Sequence, residues 1–159
     1  MPHKHALTSE QRRQFDANGH VTIAGVFAPD EMDTAVADAT AWADQVLSDL
    51  DERGEQWFVD RRATVAHAPR KLDDPVFHRP VFRRLACDGR LIGLIESLLG
   101  PNVSVAFSQV FFKPPGGAAK PAHQDNFYFG PTRDDGMITA WIALDEATVE
   151  NGCLRFADG

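Results

Sequence analysis

The stretch Val103-Ser104-Val105-Ala106-Phe107-Ser108-Gln109-Val110-Phe111-Phe112, then Lys113-Pro114-Pro115-Gly116-Gly117, then Pro121-Ala122-His123-Gln124-Asp125, decides how the chain is read. Alternate side chains of a strand share a face, so Val103, Val105, Phe107, Gln109 and Phe111 line one side and Ser104, Ala106, Ser108, Val110 and Phe112 the other. The Pro/Gly loop ends that strand, and residues 123–129 are expected to form the next. His123 and Asp125 then fall on one face with Cα atoms about 6–7 Å apart. Imidazole and carboxylate at that spacing can converge on one metal ion. With 6 His and 16 Asp in 159 residues, about 0.6 such triplets arise by chance, so the triplet is weak evidence without its surroundings.

Downstream, a turn-rich run from Gly130 to Gly136 precedes a strand expected over residues 137–144, and Asn151-Gly152 turns into a last one over 153–156. Upstream the period changes from 2 to 3.6. Thr8 with Gln11 three residues later is a capping box opening a first helix, which Asn18-Gly19 closes. Residues 21–27 read as a short strand. Pro29-Asp30-Glu31 opens a longer helix with Met32, Val36, Ala39, Ala43, Val46, Leu47 and Leu50 at helical spacing and Gly54 as its stop. Residues 57–59 and 64–66 are strand candidates. Two compact helical pieces lie between Asp73 and Gly100. Pro75 or Pro80 opens the first, and a left-handed Gly100 followed by Pro101 closes the second. Helices first and strands afterwards imply an α+β fold.

The length fits one domain, and a 43% apolar, 25% charged composition is that of a globular protein. A net charge of −7 disfavours an electrostatic grip on nucleic acid or anionic lipid. No apolar run reaches the roughly 18 residues of a membrane helix. Cys87 and Cys153 lack metal or CxxC spacing and read as reduced thiols of a cytoplasmic protein.

Several ordered motifs agree with one family. Residues 108–117 with 121–129, Thr139-Ala140-Trp141-Ile142-Ala143-Leu144-Asp145-Glu146, Glu150-Asn151-Gly152-Cys153-Leu154 and Arg70-Lys71-Leu72-Asp73-Asp74-Pro75 together resemble the phytanoyl-CoA dioxygenase family. The resemblance runs from Thr8 onward. It implies an Fe(II)- and 2-oxoglutarate-dependent dioxygenase on a double-stranded β-helix, a cupin-like jelly roll, with N-terminal helices packed on it. His123 and Asp125 then correspond to two of three iron ligands. Lys71, Gln109 and Trp141 fall where family members line the 2-oxoglutarate pocket. The implied reaction uses O2, decarboxylates 2-oxoglutarate to succinate and hydroxylates a small molecule that the sequence does not name. Read from the residues alone, Lys71 is equally a surface lysine, Gln109 faces a polar pocket or pairs with backbone, and Trp141 is core, pocket wall or both.

The family's distal His and following Arg have no counterpart: no His follows His123, and Arg133 and Arg155 sit too early. The expectation is therefore one incomplete domain over residues 1–159, with helical support over 8–100 and the first barrel strands over 101–159. The parent protein is expected to be an oxygenase and the 159-residue chain inactive by itself. An open barrel edge would favour self-association. The alternative is a non-catalytic cupin-like remnant or binding module with at most weak metal affinity. A zinc hydrolase built on the same ligands gives Lys71, Gln109 and Trp141 no reason to recur together.

Overall fold

A computed structural model describes residues 5–50, 58–64, 68–125 and 136–158. Helix α1 (Ser9–Asn18) starts at the expected capping box: the Gln11 amide donates to Thr8 Oγ1 at 3.2 Å and the Thr8 amide to Gln11 Oε1 at 2.9 Å. It stops at Gly19, whose φ of 76° lets its N–H reach back to the Phe15 carbonyl. Residues 21–23 are irregular and 24–27 form a turn and bends rather than the expected strand; among the described residues none pairs with them in a ladder. Helix α2 (Pro29–Asp49) begins at the expected proline and ends at Leu50, before Gly54, which lies outside the described residues.

The buried stripe of α2 is Ala35, Ala39 and Ala43; Ala39 and Ala43 belong to the expected apolar stripe, and Ala35 takes the place of Val36. Small residues let the neighbouring helix come close. Ala35 and Ala39 pack with Phe82, Leu85 and Val110 in the core, and Phe27, Met32, Val81 and Leu144 close over it. Both prolines open helices, so the expected first piece is two: α3 (Pro75–His78) and α4 (Pro80–Ala86). Helix α5 (Gly89–Leu99) is capped by Asp88, whose carboxylate accepts the Arg90 amide at 2.8 Å. Gly100 ends it at φ 92°, ψ 178°, a region open only to glycine but not the left-handed helical cap expected.

Two arginines tie the helices together. Arg90 forks onto Glu31 at 2.6 and 2.9 Å and onto Asp88 at 2.8 and 2.9 Å, joining the start of α2 to the start of α5. Arg79 forks onto Asp38 at 2.7 and 2.9 Å, holding α4 to the middle of α2. Bidentate geometry fixes orientation as well as distance.

The sheet is smaller than the sequence pattern suggests. Strand β1 (Lys71–Asp73) pairs antiparallel with β2 (Gln109–Phe111), in the register Lys71 to Phe111, Leu72 to Val110 and Asp73 to Gln109. Of the ten residues 103–112, only these three enter a ladder, and residues 137–144 and 153–156 enter none among the described residues. Alternation expresses a side-chain preference, whereas a strand exists only where a partner supplies hydrogen bonds. Val59 makes a single bridge to Pro69; residues 65–67 and the end of the expected 123–129 strand lie outside the described set. Helices with a two-stranded antiparallel sheet make the described fold α+β. No described helix is long and apolar enough to cross a membrane.

Candidate active site

The β1–β2 register sorts the residues flanking the site. Leu72 and Val110 point to the core and are 2% and 7% exposed. The opposite face therefore carries Lys71, Asp73, Gln109 and Phe111. Lys71 Nζ lies 2.9 Å from both oxygens of Asp73, and Gln109 Nε2 donates to Asp73 Oδ1 at 2.5 Å. Thus Lys71 and Gln109, singled out separately in the sequence, meet on one carboxylate. The Gln109 side chain pairs with the Asp73 carboxylate rather than with backbone. Burial pushes the Asp73 carboxyl up, but the Gln109 amide and the Lys71 and Arg70 charges outweigh that and hold it below the usual carboxylate range. Lys120 completes this face, its ammonium 5.0 Å from the Phe111 ring centre. Burial, with Arg70 and Lys71 nearby, lowers the pKa of Lys120.

The Pro/Gly loop leads from β2 to the second cluster. Thr64 fixes the Pro115 carbonyl through its amide at 3.0 Å and its hydroxyl at 3.2 Å. At Gly117 a Cβ would stand 2.8 Å from the Pro114 carbonyl oxygen, so only glycine fits that turn. Lys113 spans the loop, donating to the Ala118 carbonyl at 2.9 Å.

Beyond the loop, His123 Nδ1 lies 2.8 Å from the Pro121 carbonyl oxygen. A carbonyl only accepts, so Nδ1 carries a proton and donates it. Nε2 is 3.4 Å from Asp125 Oδ1. Two ligands about 2.1 Å from one ion and subtending roughly 90–110° lie about 3.0–3.4 Å apart, so this pair has the separation a shared metal needs. The Thr139 hydroxyl donates to Asp125 Oδ2 at 2.5 Å, which orients the carboxylate. Nitrogen and oxygen donors of this kind suit Fe(II). Among the described residues no third His, Cys, Asp or Glu joins the pair.

A family model described as "Phytanoyl-CoA dioxygenase (PhyH)" matches residues 15–159. The chain belongs to that family. Among its relatives, "Phytanoyl-CoA dioxygenase 1" of Oryza sativa subsp. japonica is 31% identical over 192 residues, covering 97% of this chain and 65% of the relative. "2-Aminoethylphosphonate dioxygenase" of an uncultured bacterium is 27% identical over 157 residues, 96% of this chain and 58% of the relative. "Probable alpha-ketoglutarate-dependent hypophosphite dioxygenase" of Stutzerimonas stutzeri is 24% identical over 153 residues, 96% of this chain and 53% of the relative. The chain therefore spans between 53% and 65% of the length of these family members.

Against the expected family site, Lys71 and Gln109 come together and His123 and Asp125 come together. Trp141 is 46% exposed and makes no hydrogen bond or ring contact among the described residues. Asp73 and Thr139 were not anticipated. The i, i+2 spacing of Lys71 and Asp73 could have pointed to the first; nothing local marks Thr139, which lies 14 residues from Asp125.

Proposed function

We propose that the protein is an Fe(II)- and 2-oxoglutarate-dependent dioxygenase that hydroxylates a small molecule. The observation that carries this reading is the 3.4 Å separation of His123 Nε2 and Asp125 Oδ1, with Nδ1 held by Pro121 and Oδ2 by Thr139. Both ligands are thereby pre-oriented, as metal-binding His and carboxylate side chains usually are by an outer ring of hydrogen bonds. Bound Fe(II) would supply the redox chemistry that couples oxidative decarboxylation of the keto acid to hydroxylation.

The chain's own residues supply the rest. Lys71 and Gln109 present an ammonium and an amide on one face, a donor pair suited to a carboxylate of 2-oxoglutarate. In the ligand-free protein Asp73 occupies those donors, so a keto acid enters by displacing an internal carboxylate. Trp141, part of the family motif, is available as an exposed apolar wall. The barrel of a cupin-like jelly roll and a single domain over residues 1–159 belong to the same reading, supported by the family match. Relatives whose names specify phosphonate, hypophosphite and phytanoyl-CoA substrates support an oxygenase and do not converge on one substrate.

Supplying Fe(II), 2-oxoglutarate and O2 and measuring succinate tests the proposal. The 159-residue chain by itself is expected not to turn over, because no His follows His123 to match the family's distal ligand. In a protein carrying the further His and Arg, His123→Ala is expected to abolish succinate formation. Succinate formed at the wild-type rate by that variant removes His123 from the iron site. Robust turnover by the 159 residues alone refutes their inactivity.

A further inference from the structure

Just before β1, Arg70 lies beside a cavity. Its backbone is fixed on both sides: the Arg70 amide donates to the Phe58 carbonyl at 2.6 Å, and its carbonyl accepts the Phe112 amide at 3.0 Å. Its Nε is buried and has no hydrogen-bond partner among the described residues. A buried, unpaired guanidinium donor costs free energy that a pairing group would recover. The cavity beside it, about 320 Å³, is lined by Asp60, Arg61, Arg62, Arg70, Ala118 and Val59, among others. That is room for a small organic anion, since a water occupies about 30 Å³.

The charges are matched to such a guest. Asp60 is 7% exposed, and its carboxylate is already committed to the walls, Oδ1 accepting the Arg62 amide at 2.9 Å and Oδ2 the Ala118 amide at 2.8 Å. Three arginines against one aspartate leave the lining with a formal charge of +2. The side chains of Arg61 and Arg62 make no hydrogen bond or ion pair among the described residues.

We propose that this cavity binds the oxyanion group, carboxylate or phosphorus oxyanion, of a small molecule, with Arg70 as its buried donor and Arg61 and Arg62 at its mouth. Guanidinium groups offer paired, planar donors that suit both kinds of oxyanion. The cavity is separate from the Lys71–Gln109 donor pair but adjoins it, since Arg70 immediately precedes Lys71 and its charge acts on Asp73 and Lys120.

Titrating inorganic phosphate, and separately acetate, into the protein and following binding by calorimetry tests the site. Phosphate or acetate is expected to bind, the tighter of the two naming the type of oxyanion. Affinity is expected to fall about tenfold or more in Arg70→Gln, the loss expected for a charge-assisted hydrogen bond. It is expected to fall as well in the Arg61→Ala/Arg62→Ala double variant, whose exposed side chains do not support the fold. No binding of either anion, or binding that survives both arginine changes, overturns the proposal. Binding lost only in Lys71→Ala also overturns it, because the anion then sits on the β1–β2 face. Titrating 2-oxoglutarate into the same variants separates the two claims: its loss in Lys71→Ala alone leaves the keto-acid reading intact whatever phosphate does.

Discussion

Replacing Lys71 with alanine asks whether the β1–β2 face holds the keto acid. The Lys71 side chain is 15% exposed, and its ammonium sits 2.9 Å from both oxygens of Asp73. A hydrogen bond to a charged group contributes about 1.5–3 kcal/mol, which would be roughly a 10- to 150-fold loss of affinity if Lys71 had no partner in the free protein. It does have one, so binding exchanges Asp73 for the ligand carboxylate and only the surplus is lost. The expected effect of Lys71→Ala is therefore at the low end, about tenfold weaker 2-oxoglutarate binding. Asp73→Asn moves affinity the other way, because it removes the internal competitor while leaving Gln109 a side-chain partner. Calorimetric titration of 2-oxoglutarate into wild type, Lys71→Ala and Asp73→Asn measures both effects. Affinity within twofold of wild type in Lys71→Ala, or weaker binding in Asp73→Asn, refutes the displacement argument.

Two further outcomes test the scaffold. Leu72→Ala empties a site that is 2% exposed behind the same face and is expected to cost about 2–5 kcal/mol, read as a fall in Tm of about 2–4 °C per kcal/mol. Asp88→Ala removes the α5 cap at a cost of about 0.5–2 kcal/mol. The Arg90 side chain, then the Arg90 amide, hold the Asp88 carboxyl down at about 2. Its folded pKa lies below its unfolded one, so this contribution is complete above roughly pH 4 and disappears as pH falls toward 2. Tm measured against pH should show a shallower acid limb in Asp88→Ala than in wild type.

Helix starts were legible because their signals are local: Thr8 with Gln11, Pro29 with Glu31, and each proline of the α3–α4 pair act within one turn. The packed face of α2 was legible at Ala39 and Ala43, whereas Ala35 is buried beside them where the pattern pointed to Val36. Strand β1 escaped notice because three residues carry no period, and it exists only through the partner that β2 offers it. The same pairing creates the role of Asp73, which is invisible until Gln109 stands opposite. His123 and Asp125 were marked by spacing and motif, and their side chains lie 3.4 Å apart. Thr139 was not marked, because a contact across 14 residues is set by tertiary folding and leaves no local trace.

Central to this account is that His123 and Asp125 hold one metal ion between them. Anaerobic equilibrium dialysis of Fe(II) against wild type, His123→Ala and Asp125→Ala tests it without requiring turnover. The prediction is a single Fe(II) site in the wild type that weakens about tenfold or more in each variant, since loss of even an outer partner of a metal ligand typically costs 10- to 100-fold. Fe(II) bound equally well by all three proteins would contradict it.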